Sequence, residues 1–270
     1  KFSVDTVKKF EENHNYVTVE FASNTSVSAK FLVDATGTSS RIARQIGVRL
    51  AKLDLGLEYE LDIAGIESRW NERIHLDWGV MPGSYGWVFP KGDSLTVGVI
   101  AEKGNSSGDL KNYLSDFCKA VGVSGQKLLR ESGHLTRCRE SDSPVGSERV
   151  LLVGDSAGLL EPWTREGISY AVRSGKMAAE SILRMSETSS VISHYRALLD
   201  DSLFKEIRAG FVCRKAFECH PNFFHFLIGS TYPGWKYFTR ITTGDTNLAR
   251  AMEHKSARFV MNYLGGRSRK

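Results

Sequence analysis

Arg149-Val-Leu-Leu-Val-Gly-Asp-Ser-Ala-Gly-Leu-Leu-Glu-Pro-Trp-Thr-Arg-Glu-Gly-Ile-Ser-Tyr-Ala-Val-Arg-Ser-Gly-Lys-Met-Ala-Ala179 is the stretch on which the fold turns. It opens with a continuous apolar run over Arg149–Val153, the pattern of a strand buried on both faces. The run stops at Gly154-Asp155, so the Asp155 carboxylate is delivered at a strand end, where open α/β sheets form their ligand crevices. A helix then begins near Gly167, and Ala171, Ser174, Gly175, Ala178 and Ala179 give it a small-residue face able to pack closely on a sheet or a ligand. Its first turn aims free N–H groups and the positive end of a dipole at whatever lies in front of it.

Upstream, Leu32-Val-Asp-Ala-Thr-Gly-Thr-Ser-Ser-Arg-Ile-Ala-Arg-Gln-Ile-Gly47 repeats the logic: a buried strand, a small-residue loop, and a short helix over 41–46 stopped by Gly47. Tyr16–Phe21 alternates as a half-buried strand should, and Asn24-Thr25-Ser26 turns it back into a hairpin partner over 27–33. Between the two loop motifs lie four strand-like runs, at 57–63, 73–78, 86–89 and 94–100, divided by turn signals at Pro82-Gly83 and Lys91-Gly92-Asp93; they predict an antiparallel sheet. Gly104 to Gly108 reads as a flexible loop. Leu110, Tyr113, Leu114, Phe117 and Val121 carry the period of an amphipathic helix, with a second helix expected at 125–131. Beyond Ser190 the pattern is helical to about Ala216 and then rich in aromatic residues, from Phe223 to Phe238.

In Met81-Pro-Gly-Ser-Tyr-Gly-Trp-Val-Phe-Pro-Lys-Gly-Asp-Ser-Leu-Thr-Val-Gly-Val99, Tyr85, Trp87 and Phe89 alternate with Gly86 and Val88, so the three rings share one sheet face. Such a wide apolar face suits a long unsaturated chain; it also reads as an aromatic core stripe.

The composition fits these assignments. The 270 residues are 41% hydrophobic and 25% charged, enough to bury a sizeable core and too regular for a disordered, collagenous or coiled-coil chain. The net charge of +5 is too small an excess for a dedicated nucleic-acid binder. Its location is the C-terminal stretch, where Lys236, Arg240, Arg250, Lys255, Arg258, Arg267, Arg269 and Lys270 face only Asp245 and Glu253. Beside the aromatic run these residues suit an anionic lipid surface or a diphosphate, or form a solvated basic tail. Cys118, Cys138, Cys213 and Cys219 show neither zinc spacing nor a disulfide framework, and a reducing, cytoplasmic setting is the default. No metal site, hydrolase signature, signal peptide or membrane span is apparent. The seven histidines are scattered, and His75, on the middle sheet, is the one that merits a test.

The Arg149–Ala179 stretch resembles the second FAD-binding motif of flavoproteins built like p-hydroxybenzoate hydroxylase, and specifically that of the geranylgeranyl reductase family. The Leu32–Gly47 element resembles the same superfamily's loop near the FAD pyrophosphate, with Thr36 standing where an acidic residue is more common and Asp34 as a structural substitute. The Tyr85-x-Trp87-x-Phe89-Pro90 segment resembles that family's substrate-tunnel strand. The resemblance implies an α/β, mixed α+β fold: a partial Rossmann-type FAD domain over residues 1–50 and 140–190, an antiparallel substrate-domain sheet over 51–139 and a helical C-terminal region over 191–270. It implies FAD held by Gly37, Arg41, Gly154, Asp155, Ala157, Gly158, Pro162, Gly167 and Ile168. An isoprenoid substrate would lie against Tyr85, Trp87, Phe89, His75 and Arg165. Relatives commonly have Gly where Arg165 stands, so this arginine narrows the site, meets an anionic head or points outward. NADPH or reduced ferredoxin is the implied electron donor, with peripheral membrane contact.

No G-x-G-x-x-G follows a strand, so the chain reads as the greater part of a larger flavoprotein whose ADP-binding unit lies upstream. The expected chemistry is saturation of prenyl double bonds, with no side chain singled out as the acid. Two rivals stay open: an aromatic hydroxylase of the same fold, and a non-catalytic lipid-binding fragment.

Overall fold

The computed structural model describes residues 1–78, 83–103, 107–184 and 190–266. Pro82 of the expected turn, Gly104 to Ser106 of the expected loop, and Arg267, Arg269 and Lys270 of the basic stretch lie outside the described residues. The chain divides into two units, one formed by residues 1–51 and 137–270 and the other by 52–136.

The first unit begins with β1 (Val7–Glu12), β2 (Val17–Phe21) and β3 (Ser26–Ala29), an antiparallel sheet in that order. The β2–β3 hairpin follows the sequence pattern, with Asn24 in the left-handed conformation at φ 60°. Strand β1 escapes the periodicity, because Val-Lys-Lys-Phe-Glu-Glu buries only Phe10 and forms by pairing with β2. The expected run over 27–33 is divided: the chain leaves the hairpin at Lys30 and Phe31 and starts β4 (Leu32–Asp34) in a different sheet. α1 (Arg41–Ile46) follows, capped by the Ser40 hydroxyl on the Ala43 N–H at 2.8 Å and closed by Gly47 at φ 87°.

In the second unit the five-stranded sheet has the order β6-β7-β8-β5-β9. Its members are β5 (Leu50–Asp62), β6 (His75–Asp77), β7 (Tyr85–Lys91), β8 (Ser94–Glu102) and β9 (Leu128–Arg139), with α2 (Glu67–Trp70) after β5 and α3 (Ser107–Ala120) after β8. Leu110, Tyr113, Leu114 and Phe117 of α3 share a buried cluster with Val88, Leu95, Val97 and Val99 of the sheet. The helix expected at 125–131 is instead a turn leading into β9. Its short apolar run fits either period, and the exposed edge of β5 decides the outcome by offering backbone partners to an extended chain.

The remaining elements belong to the first unit. β10 (Val150–Leu152) pairs in parallel with β4, Leu152 opposite Asp34. All three β10 residues are fully buried, as the apolar run requires. α4 (Ile168–Leu183), α5 (Val191–Asp201) and α6 (Leu203–Cys219) pack around this pair, and the Tyr195 hydroxyl donates to the Leu152 carbonyl at 2.7 Å. α7 (Pro221–Ser230), α8 (Tyr232–Thr242), α9 (Leu248–Glu253) and α10 (Lys255–Gly266) complete the helical C-terminus. No helix among the described residues is long and apolar enough to cross a membrane.

Candidate functional site: a joined pair of strand-end loops

Because β4 and β10 are parallel neighbours, their C-terminal ends deliver two loops side by side, each wound into a 3-10 turn, Gly37–Ser39 and Gly154–Ala157. Side chains fasten one to the other. The Gly37 N–H donates to Ser156 Oγ at 2.9 Å, and Thr38 Oγ1 donates to Asp155 Oδ2 at 3.2 Å. Beneath them Asp34, 1% exposed, accepts from the Thr36 N–H at 3.0 Å, from Thr36 Oγ1 at 2.6 Å and from the Ser40 hydroxyl. This carboxylate is a buried brace for the first loop.

The glycines divide by function. Gly37, at φ 79°, has open space where a side chain would stand, so its backbone is approachable. Gly154 and Gly158 sit at φ 55° and 67° for packing instead: a Cβ on the first would meet that of Ala171 at 2.9 Å, and on the second that of Arg139 at 2.9 Å. Gly154 also donates to Ser174 Oγ at 2.9 Å, which ties the loop to the small-residue face of α4. Ala157 is fully buried, its carbonyl held by Arg139 Nη1 at 3.0 Å. Burial draws the Arg139 guanidinium down to about 10.

Residues 161–167 close into a second support. Glu161 is buried and accepts from the Trp163 N–H at 3.1 Å and from both the N–H and the hydroxyl of Thr164. Burial outweighs these donors and raises its pKa above the usual carboxylate value. Pro162 and Glu161 press on Gly210 of α6, where an added Cβ would lie 2.7 Å from Pro162 Cδ. Arg165 adopts φ 59°, a left-handed conformation that favours glycine, and its Nη1 turns back to the Trp163 carbonyl at 2.9 Å. A glycine would adopt that conformation without strain.

At the head of α4, Gly167 stands beside Asp155, with 3.5 Å from its virtual Cβ to Asp155 Oδ1. Glu166 caps the first turn through Ser169, both N–H and hydroxyl at 2.7 Å. Ile168 and Val172, one turn apart, are 83% and 69% exposed and form an apolar ledge beside the carboxylate. Arg41 points elsewhere, donating to the Val7 carbonyl at 3.3 Å. An approachable Gly37 backbone, a carboxylate at Asp155 with the chemistry to accept from hydroxyls, and an apolar ledge at a helix N-terminus have the chemistry that a flavin dinucleotide requires.

In the second unit the antiparallel register places Tyr85, Trp87 and Phe89 on one face, opposite α3, with ring centroids 5.6 and 6.3 Å apart in succession. Trp87 lies flat on Gly98, whose added Cβ would fall 2.1 Å from the indole. Glu58 and Glu60 share this face through the β8–β5 register. His75 is paired with Val88 and therefore lies on the other, α3-covered face, in contact with Trp70 and Phe117.

Sequence reading overlooked Arg137, Thr38 and Ser156, and took Ser174 only as part of a small-residue face. The hydroxyl-bearing residues sit within the recognised motifs, whereas Arg137 lies at the end of a strand that the pattern did not reveal.

Two parallel strand ends with joined small-residue loops, a helix opening beside them and an antiparallel sheet make up a mixed α/β fold that this chain shares with solved flavoprotein structures. A geranylgeranyl bacteriochlorophyll reductase-like protein from Thermoplasma acidophilum superposes over 96% of this chain and 68% of its own, with a TM-score of 0.75 at 18% identity. In sequence, the chain is 28% identical over 214 residues to digeranylgeranylglycerophospholipid reductase 3 of Methanosphaera stadtmanae, matching 75% of this chain and 51% of the relative. It is 31% identical over 164 residues to the chloroplastic geranylgeranyl diphosphate reductase of Nicotiana tabacum, matching 58% of this chain and 34% of the relative. The chain thus spans about half the length of the first relative and about a third of the second. No family model matches. Within the flavoprotein fold, the chain is similar in sequence to proteins named as geranylgeranyl reductases.

Proposed function

We propose that the protein is an FAD-dependent oxidoreductase that reduces prenyl double bonds of an isoprenoid lipid, quinone or pigment precursor. The observation that carries this reading is the joined loop pair: Asp155 and the approachable Gly37 backbone meet at the N-terminus of α4, in a chain similar to geranylgeranyl reductases over three quarters of its length. When bound, FAD supplies two-electron redox chemistry, with NADPH or a reduced ferredoxin as the donor.

The residues divide the remaining work. Asp155 accepts from cofactor hydroxyls, and Gly37, Gly167 and Ile168 offer backbone and an apolar ledge. Gly154, Ala157, Gly158 and Pro162 hold the loops in shape rather than touch the ligand. Tyr85, Trp87 and Phe89 bind the apolar chain and exclude water from it. Exposed Phe226, Tyr232, Trp235, Phe259 and Tyr263, with Lys236, Arg240, Lys255 and Arg258, support contact with an anionic lipid surface.

The test is anaerobic. The full-length protein is purified, its flavin spectrum recorded, and a geranylgeranyl lipid incubated with it and a chemical reductant before mass spectrometry. Gain of two hydrogens per double bond without oxygen is the expected result. A product that forms only with oxygen would point to a hydroxylase, and a colourless protein that takes up no FAD would remove the enzyme reading.

A further inference from the structure

Three arginines are buried among the described residues of the first unit, Arg137, Arg139 and Arg214. Arg214 donates from Nε to Glu218 Oε1 at 2.6 Å and from Nη1 to the Pro162 carbonyl at 3.2 Å. Arg139 is occupied by the carbonyls of Ala157, Pro144 and Ser143 and stacks on Phe204. Arg137 differs in making a single hydrogen bond. It is 8% exposed and its Nη1 donates to the Thr38 carbonyl at 2.7 Å, while its Nε, like that of Arg139, is buried with no hydrogen-bond partner.

Among the described residues no carboxylate forms an ion pair with Arg137. Burial first and then the charge of Arg44 lower its pKa, opposed by the charges of Asp155 and Asp34. A buried guanidinium without a counter-ion is unfavourable, and its planar fork matches the oxygens of a phosphate or carboxylate better than any other partner. Its one fixed hydrogen bond goes to the loop that is fastened to Asp155, so the unmet charge stands at the joint of the candidate site.

We propose that Arg137 is the anion anchor of this site and takes a phosphate oxygen of a bound ligand beside the joined loops. Two sources offer that chemistry: the pyrophosphate of a dinucleotide cofactor, and the phosphate of an isoprenoid substrate of the kind for which the relatives are named. The first source rests on the FAD reading above; the second does not.

The experiment uses the full-length protein, wild type and the variants Arg137→Gln and Arg137→Lys, with circular dichroism as the check on folding. Two ligand pairs are titrated by fluorescence: FAD against riboflavin, and geranylgeranyl diphosphate against geranylgeraniol. In one pair Arg137→Gln is expected to weaken the phosphate-bearing member by about tenfold or more, leaving the phosphate-free member unchanged, with partial recovery in Arg137→Lys. The pair that responds identifies the source. Raising the salt from about 0.05 to about 0.5 M should weaken the same ligand in the wild type and not in Arg137→Gln. Equal affinities in wild type and Arg137→Gln for all four ligands would overturn the proposal. So would equal losses for both members of a pair, which would mark a packing role. If the wild type takes up no FAD, the flavin reading fails while the isoprenoid pair still decides the anion site.

Discussion

Single residues in this protein are constrained mostly by what lies against them, and the glycines make the point. Gly154 and Gly158 need both a positive φ and the absence of a Cβ, since Ala171 and Arg139 occupy the space. Replacing either by Ala should destabilise the fold by about 2 to 3 kcal/mol, read by urea unfolding. Arg165→Gly should act in the opposite direction. Relieving a left-handed non-glycine conformation outweighs the extra chain entropy by up to about 1 kcal/mol, and the melting temperature should rise. A fall would mean that the contact from Arg165 to the Trp163 carbonyl matters more than the backbone. Glu161 carries a pH signature. Its pKa is raised in the folded state, so its stabilising contribution is full below the ordinary value near 4.5 and is lost as pH rises through the folded value. Unfolding free energy followed upward from pH 4.5 should fall more in wild type than in Glu161→Gln.

At the scale of elements, the helices are joined by one buried polar knot. Glu206 on α6 accepts from Tyr170 and Arg173 on α4 and from Asn247 Nδ2, at 3.1, 2.7 and 3.2 Å, so the helix that opens at the candidate site is fixed to the C-terminal helices. Glu206→Ala leaves the half-exposed Arg173 and the buried Tyr170 hydroxyl without their acceptor and should lose about 1 to 3 kcal/mol, whereas the double change with Arg173→Met should recover part of the loss. In the antiparallel sheet the counterpart is Trp87 seated on Gly98. Gly98→Ala must displace the indole, and it should impair turnover of a long prenyl substrate while leaving FAD affinity unchanged. Measuring both quantities on one preparation separates a substrate wall from a general structural support.

For the molecule as a whole, most of the fold was legible from periodicity and punctuation. The apolar run of β10, the alternation of β2, the Gly47 stop and the period of α3 each record a local preference that the tertiary structure kept. β1 and β9 were not legible for a common reason. Val7–Glu12 has one buried side chain, and Leu128–Arg139 is mostly exposed until its last residues, so neither carries a clear hydrophobic period. Both exist because a neighbouring strand offered unpaired backbone groups, a preference that cannot be read from the strand's own residues. The same cause hid Arg137, since the strand that positions it was read as the vicinity of a helix.

The sequence by itself determined the loop chemistry: which residues bear the carboxylate, which allow tight turns, and which aromatic side chains share a face, because these follow from residue type and a period of two. Only the tertiary structure decided what each glycine is for, on which face His75 lies, and that Thr38, Ser156 and Arg137 belong with Asp155. Those facts depend on β4 and β10 becoming parallel neighbours although more than a hundred residues separate them. Parallel pairing aligns two strand ends and so brings their loops together, and no local pattern along the chain encodes that alignment.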